Sequence, residues 1–362
     1  MTAFRPDKRE EKAMATTATD LTGGVPEDRE FVVATRPEDG LRDAVNVWIE
    51  EENGLFAMRI GVEAVGAHWD RHEFWLDVAF ADGRLLSRRG DGEAHAPLGA
   101  DGRPTVRGTG PVRFECVEPF RRWNAAYKGE VAETTAQAII DNPAFEEAVW
   151  ADLEIAVDMD MAAPPWVPGS LLPEAAEALG GEQGSFMSPR YEQLFRCTGM
   201  LTVNGQSRPF KANGLRIRRT GFRAFAGFWG HCWQSAVFPS GRAFGFNIYP
   251  PRDDGGLNYA EGWIIDADGT RTPARPVRVP WLRRFLTGGE DVSFVLETID
   301  GRRVEIAGET FTNTRSRGGH VLPPDWPKDF PLVQQSHAFY TWDGERTTGM
   351  IERSSKPSVM AR

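Results

Sequence analysis

The sequence predicts a mainly β protein: two consecutive antiparallel β-barrel or sandwich domains with a few short helices. Three observations predict it. Apolar and polar residues alternate over many short runs, the period of a strand with one buried face. Turn dipeptides separate these runs, at Asp82–Gly83, Asn204–Gly205, Ser240–Gly241, Asp268–Gly269, Asp300–Gly301 and Asp343–Gly344. The aromatic load is apolar, with 12 Trp and 22 Phe against 5 Tyr. That suits large barrels or sandwiches, and also a pocket for a greasy ligand.

At 362 residues the chain exceeds one small core, and two domains are the natural division. Residues 1–40 are polar with little periodicity and read as a flexible lead-in, without the apolar stretch of a secretory signal. Order is expected from residue 44, where Val45, Val47 and Ile49 alternate with Asn46, Trp48 and Glu50. Runs 55–65, 72–81 and 84–87 repeat the pattern, and 90–110 is a Gly-, Asp- and Pro-rich loop. Run 111–117 leads into Glu118-Pro119-Phe120-Arg121-Arg122-Trp123, a short helix or tight corner carrying an aromatic plug. Residues 134–140 and 143–150 have helical composition, and 153–161 alternates again. The Pro-rich break at 162–169 suggests a domain boundary. The expected division is therefore a first β domain at 41–165, a linker with a short helix near 171–179 within 166–185, and a second β domain at 186–362.

Composition excludes several classes. The net charge of −10 is unlike that of a general nucleic-acid binder. No apolar run approaches the ~20 residues of a membrane helix. Cys116, Cys197 and Cys232 stand far apart without a CxxC, so neither a disulfide framework nor a zinc site is expected, and a cytoplasmic setting fits. His68 and His72 have i, i+4 spacing but in a strand-like run, and Asp158 and Asp160 have no accompanying ligand. No metal site is expected. There is no GxSxG, P-loop or HExxH, and no βαβ unit frames Gly221 and Gly227 as a dinucleotide site. No cofactor is expected.

The densest chemistry lies in 218–250, RRTGFRAFAGFWGHCWQSAVFPSGRAFGFNIYP. A two- or four-residue loop at Ser240–Gly241 pairs Trp233 with Ile248. One face then holds His231, Trp233, Ser235, Val237, Phe244, Phe246 and Ile248, an apolar wall with one imidazole. A three-residue loop slips the register by one and brings Asn247 and Tyr249 beside His231. His231 is the candidate proton donor or relay, since imidazole titrates near neutrality; the bland alternative is a backbone-bonded histidine. Trp229 and Trp233 offer ring faces to a cation or to the core. Arg218, Arg219, Arg223 and Arg242 could clamp a carboxylate or phosphate, or line a barrel mouth. Glu192 and Asp266 are candidate general acids if they face a cavity, because burial keeps a carboxyl protonated. Asp266-Ala267-Asp268-Gly269 also reads simply as a turn.

Several stretches resemble a known family. The Glu118–Trp123 corner resembles the "PF..W" corner of AttH-like and carotenoid 1,2-hydratase-like (hydroxyneurosporene hydratase-like) tandem lipocalin-like proteins, many of them uncharacterised paired domains. Tyr191-Glu192-Gln193, the run Thr198–Gly205, Gly221–Arg223 and the closing Gly349-Met350-Ile351-Glu352-Arg353 resemble their second half. The resemblance spans roughly residues 44–353 and implies two lipocalin-like barrels with a ligand cavity near their junction, the Tyr191 segment included. It implies chemistry on isolated double bonds of terpenoids or polyenes, associated with a His-x-Trp pair followed by a Tyr-x-Asp pair. His231-Cys232-Trp233 matches the first pair; Tyr249, Tyr259, Asp266 and Asp268 are loose counterparts of the second.

The expected function is a cofactor-independent hydratase, lyase or cyclase acting on a hydrophobic terpenoid, steroid or polyene. The alternatives are a non-catalytic lipocalin-like carrier and a two-barrel interaction protein without a ligand. The expected partner is a hydrophobic small molecule rather than nucleic acid or an integral membrane segment, and a homodimer is compatible with these features.

Overall fold

Strand pairing organises the computed structural model, which describes residues 20–141, 149–180, 187, 189–223, 228–252, 255–317 and 330–360. The first strands are β1 (Arg42–Glu51), β2 (Phe56–Val65), β3 (Arg71–Phe80), β4 (Arg84–Glu93), β5 (Val106–Thr109), β6 (Val112–Glu118) and β7 (Arg122–Thr135). Helix α1 (Ala136–Asp141), strand β8 (Val149–Met161), helix α2 (Pro173–Gly180), and strands β9 (Arg190–Val203) and β10 (Gln206–Gly221) follow. Then come β11 (Gly230–Val237), β12 (Ala243–Ile248), β13 (Ala260–Ile265), β14 (Arg271–Arg278), β15 (Phe294–Thr298), β16 (Arg303–Arg317), β17 (Leu332–Trp342) and β18 (Glu345–Ser355).

Strands β1 to β10 form one antiparallel sheet in the order β4-β3-β2-β1-β10-β9-β8-β7-β6-β5, and pairing of β4 with β7 curls it back on itself. Strands β11 to β18 close a barrel in sequence order. The expected linker does not separate the two sheets. After α2 the chain returns to the first sheet as β9 and β10, which fill the place between β8 and β1, and it crosses to the barrel between Gly221 and Gly230. Composition marked a break at 162–169, but non-local pairing partners are invisible to composition.

The turns sit where their dipeptides predict. Asn204–Gly205 and Asp343–Gly344 both have paired positive φ values, 49° and 78°, then 48° and 80°. This backbone matches the twist of a two-residue hairpin and is the reason for glycine at the second position. The stretch 134–140 runs into α1, residues 143–148 lie outside the described residues, and Val149 and Trp150 open β8. The Glu118–Trp123 segment is a tight corner, with Phe120 at φ 58°.

The lead-in is built into the fold from Asp20 onward, while residues 1–19 lie outside the described residues. Glu30 closes one end of the first sheet. Its carboxylate accepts from Arg216 (2.7 Å), the Tyr191 hydroxyl, the Phe120 amide (2.8 Å) and the Trp123 indole (2.7 Å). Asp43 does the same beside it, taking Arg107 and Arg218 together with the Val33 amide at 2.9 Å. Polarity misled the reading here: Glu30, within the polar lead-in, and Asp43, at the start of β1, are anchors for buried arginines.

Each sheet has its own core. Val45, Val47 and Ile49 point into the first, and Phe244, Phe246, Phe294 and Tyr340 fill the second. A third cluster lies between them, where Trp48, Leu215 and Ile217 of the first sheet meet Trp233, Val237 and Trp263 of the barrel. The connecting loop is pinned there by Glu261. Its carboxylate accepts from the Trp166 indole (2.9 Å) and from the amides of Gly169 (2.6 Å), Leu171 (2.8 Å) and Leu172 (2.9 Å).

A buried pair also spans the junction. His337 Nδ1 lies 2.7 Å from Glu50, and Nε2 lies 3.1 Å from the Thr314 hydroxyl. Burial drives the Glu50 carboxyl well above its ordinary 4.5 and the His337 imidazole down to about 3. The pair therefore keeps one proton, as a Glu50 hydroxyl donating to Nδ1. The unfolded chain holds none in this pair above the ordinary His value of 6.5 and two below the Glu value of 4.5. Wild-type stability from this pair thus falls as pH rises above 6.5 and as it falls below 4.5. Glu50→Gln removes the proton, leaving only the His337 loss below neutrality. We predict that the wild-type advantage over Glu50→Gln in urea unfolding grows as pH is lowered from about 8 to about 5, by at most ~1.4 kcal/mol per unit. A pH-independent difference would refute it.

Candidate functional site

A cavity of about 230 Å³ opens between the outer faces of the two sheets. It exists because strands alternate. The residues of β1 that do not enter its own core, Asn46 and Trp48, turn toward the barrel, as do Arg59 and Glu63 of β2. Trp75 of β3 lies over Gly61, where a Cβ would stand 2.2 Å from the indole. The barrel contributes His231, Trp233, Asn247, Gln335, Glu352 and Ser354, and Phe228, Tyr249 and Phe330 add aromatic wall.

The register of the β11–β12 hairpin decides what faces this cavity. Phe238 N–H donates to Arg242 O at 2.8 Å around a three-residue loop, Pro239-Ser240-Gly241, with Gly241 at φ 92°. Trp233 therefore pairs with Asn247, and Gln234 with Phe246. Asn247 and Tyr249 come to the His231 side, whereas Phe244 and Phe246 lie inside the barrel. The expected aromatic wall at Phe244 and Phe246 is thus a packed core, because one residue of loop length flips every side chain.

Barrel closure supplies what the hairpin lacks. Pairing of β11 with β18 sets His231 opposite Ser354 and Trp233 opposite Glu352. The Ser354 hydroxyl lies 2.7 Å from His231 Nδ1, and Glu352 lies 3.1 Å from Nε2. Burial alone would raise the Glu352 carboxyl. The hydrogen bond and charge of His231, the charge of Arg59 and a 2.6 Å bond from Gln335 instead hold it at about 2. An ionised Glu352 can only accept, so Nε2 carries a hydrogen. Nδ1, on Ser354, can then serve chemically as a base that accepts from the hydroxyl or, protonated, as an acid that donates to it.

The other expected residues divide. Trp233 lines the cavity, with its indole donating to Glu192 at 2.9 Å and standing edge-on to Trp48 at 5.8 Å. The Arg190 guanidinium lies 5.0 Å over its ring. Glu192 sits behind this wall; burial pushes its carboxyl up, opposed by Arg190, which approaches to 2.6 Å. Tyr249 and Arg223 line the cavity, and burial lowers the Arg223 guanidinium to about 10. Trp229 packs on Tyr249 at 5.2 Å and donates to Pro250 O.

Four expected site residues lie elsewhere. Asp266 is in the β13–β14 turn on Arg302 at 2.6 Å, with Asp268 exposed beside it. Arg242 braces the hairpin end through Glu345 at 2.6 Å. Tyr191 belongs to the Glu30 anchor, and Arg218 is held by Asp43. In each case a residue of this chain already occupies the group that was to meet a ligand.

Glu352, Ser354 and the first-sheet residues Arg59, Arg89 and Arg190 were missed, whereas Arg219 was among the expected clamps. The visible signal was the Glu352-x-Ser354 alternation in a closing strand, which means nothing until β18 meets β11. Arg59, Arg89, Arg190, Arg219, Arg223 and Arg315 line the cavity against the two carboxylates Glu63 and Glu352. Arg59 lies between Trp48 and Trp75, 5.2 and 5.1 Å from the ring centres, and burial lowers it to about 10. Arg89 is paired with Asp77.

Among the described residues, no helix is long and apolar enough to cross a membrane.

Solved structures share this architecture. A putative AttH from Nitrosomonas europaea aligns with a TM-score of 0.53 and 13% identity, covering 87% of this chain and 92% of that one. CghA with Sch210972 aligns with a TM-score of 0.50 and 10% identity, covering 91% and 95%. Kievitone hydratase from Nectria haematococca aligns over 94% and 96% at 12% identity, with a TM-score of 0.48. At such identities the first two likenesses are of fold alone, and the AttH-like, lipocalin-like architecture expected from the residues is the one found. No curated protein sequence matches. The model of the family described as "Domain of unknown function (DUF7064)" matches residues 43–357, from the first strand to just past the last, and the chain belongs to that family.

Proposed function

We propose that this protein is a cofactor-independent hydratase, lyase or cyclase that moves a proton at a carbon of a largely apolar terpenoid, steroid or polyene ligand. The observation that carries the reading is the Ser354–His231–Glu352 chain, oriented at both ring nitrogens and facing an aromatic-walled cavity. Glu352 fixes the ring, and Nδ1 takes or gives the proton when a ligand atom replaces the Ser354 hydroxyl.

The charges of the wall select among such reactions. A full carbocation would meet several guanidiniums, and Arg190 already covers Trp233. A developing negative charge, as on the oxygen of a carbonyl conjugated to the double bond, would be stabilised instead. In the hydration direction, water oxygen bonds to the β-carbon as Nδ1 takes its proton. The electron pair moves onto the carbonyl oxygen, and the same proton then returns to the α-carbon. Elimination is the reverse.

Incubation with unsaturated terpenoid, steroid and polyene carbonyl compounds in heavy water tests this. We expect deuterium at carbon, at a rate falling about 10²–10⁴-fold in His231→Ala. Stoichiometric binding with no incorporation in either protein would reject catalysis and leave a carrier.

A further inference from the structure

One corner of the cavity carries more positive charge than the fold requires. Arg190 and Arg219 are direct cross-strand partners on β9 and β10, each only 6% exposed, and both side chains line the cavity. Like charges opposed across a strand pair destabilise a sheet, and burial aggravates this. Arg190 has Glu192 at 2.6 Å. Arg219 has Glu63 only at 3.7 Å, and Glu63 is also taken by Arg42 at 2.6 Å. Among the described residues the Nε atoms of Arg190 and Arg219 have no hydrogen-bond partner. Burial, followed by the charges of Arg223, Arg190 and Arg42, drives the Arg219 guanidinium well below its ordinary value. Repulsion that Glu192 and the shared, more distant Glu63 offset only in part is relieved further by an anion arriving from the cavity.

We infer that the Arg190–Arg219 pair seats a carboxylate of the ligand, so that the substrate is an apolar or aromatic carboxylic acid rather than a neutral hydrocarbon. This rests on the proton-transfer reading of the same cavity and names its substrate class. Guanidinium forks match a planar carboxylate in two-point fashion. The neighbouring Glu192 and Glu63 carboxylates disfavour a doubly charged phosphate. Trp233, with Arg190 5.0 Å over its ring, and Trp75 elsewhere on the cavity lining provide the wall for the apolar body.

The test is calorimetric titration of the full chain with 2-naphthylacetic acid, its methyl ester and inorganic phosphate. The acid is expected to bind at least about 10-fold tighter than the ester, with the gap narrowing in salt. Arg219→Met and Arg190→Met should erase the gap, and Arg219→Lys should narrow it. A structural role predicts a lower Tm for Arg219→Met; an anion seat predicts a ligand-free Tm at or above wild type. Should Arg219→Met fail to fold, the role is structural and the inference falls. Equal binding of acid and ester overturns the carboxylate seat and leaves the proton-transfer reading standing. Binding of neither overturns both. Phosphate competing as well as the acid, or selectivity surviving in Arg219→Met, overturns the inference alone.

Discussion

Replacing Glu352 by glutamine is expected to slow proton transfer by about 10²–10⁴-fold while changing ligand affinity only a few-fold. The residue touches His231 rather than the reacting atoms, so its role is to position and to choose the tautomer. With the Glu352 carboxyl held at about 2, the ionised group accepts from Nε2, and the proton transferred is the one at Nδ1. An amide can present either oxygen or NH₂ to the ring and so no longer decides between tautomers. Its NH₂ also competes with Gln335, which donates to the other oxygen at 2.6 Å. Nitrogen NMR of His231 should therefore show a single tautomer in the wild type and a mixture in Glu352→Gln. An unchanged rate with an unchanged tautomer would remove Glu352 from the mechanism.

Glu30→Ala is expected to destabilise the protein by about 3–5 kcal/mol, the cost of leaving a buried guanidinium without its partner. Arg216 and Glu30 are both fully buried, and the same carboxylate satisfies Tyr191, Phe120 and Trp123. Burial alone would raise the Glu30 carboxyl. Arg216, then the Tyr191, Phe120 and Trp123 donors, bring it below its ordinary 4.5. A depressed carboxyl contributes stability that is present above 4.5 and is lost as pH falls through the folded value. The wild type should therefore lose more stability than Glu30→Ala between about pH 5 and pH 3. Urea unfolding at several pH values measures both effects. A loss under about 1 kcal/mol at neutral pH would mean that the segment is not an anchor.

Much of the scaffold could be read directly from the chain. Period-2 runs and the Asn–Gly and Asp–Gly dipeptides act through nearest neighbours, and local backbone energy decides them wherever the strand ends up. His231, Trp233, Tyr249 and Arg223 were also legible, because aromatic and titratable residues concentrate in one hairpin. The Phe244 and Phe246 assignments failed on loop length alone, since Pro239-Ser240-Gly241 closes three residues rather than two or four.

The sequence by itself determined strands, turns and the hairpin that carries the imidazole. Only the tertiary structure decided which face of each strand is core, and so which residues line the cavity. In a single sheet open to water, hydrophobic alternation would settle that. Here the outer faces of β1, β10 and β11 are buried a second time, against the other sheet. Both faces are then apolar enough to pass for the interior. Closure of β18 onto β11, and of β10 onto β1, alone brings Glu352, Ser354, Arg190 and Arg219 around one cavity.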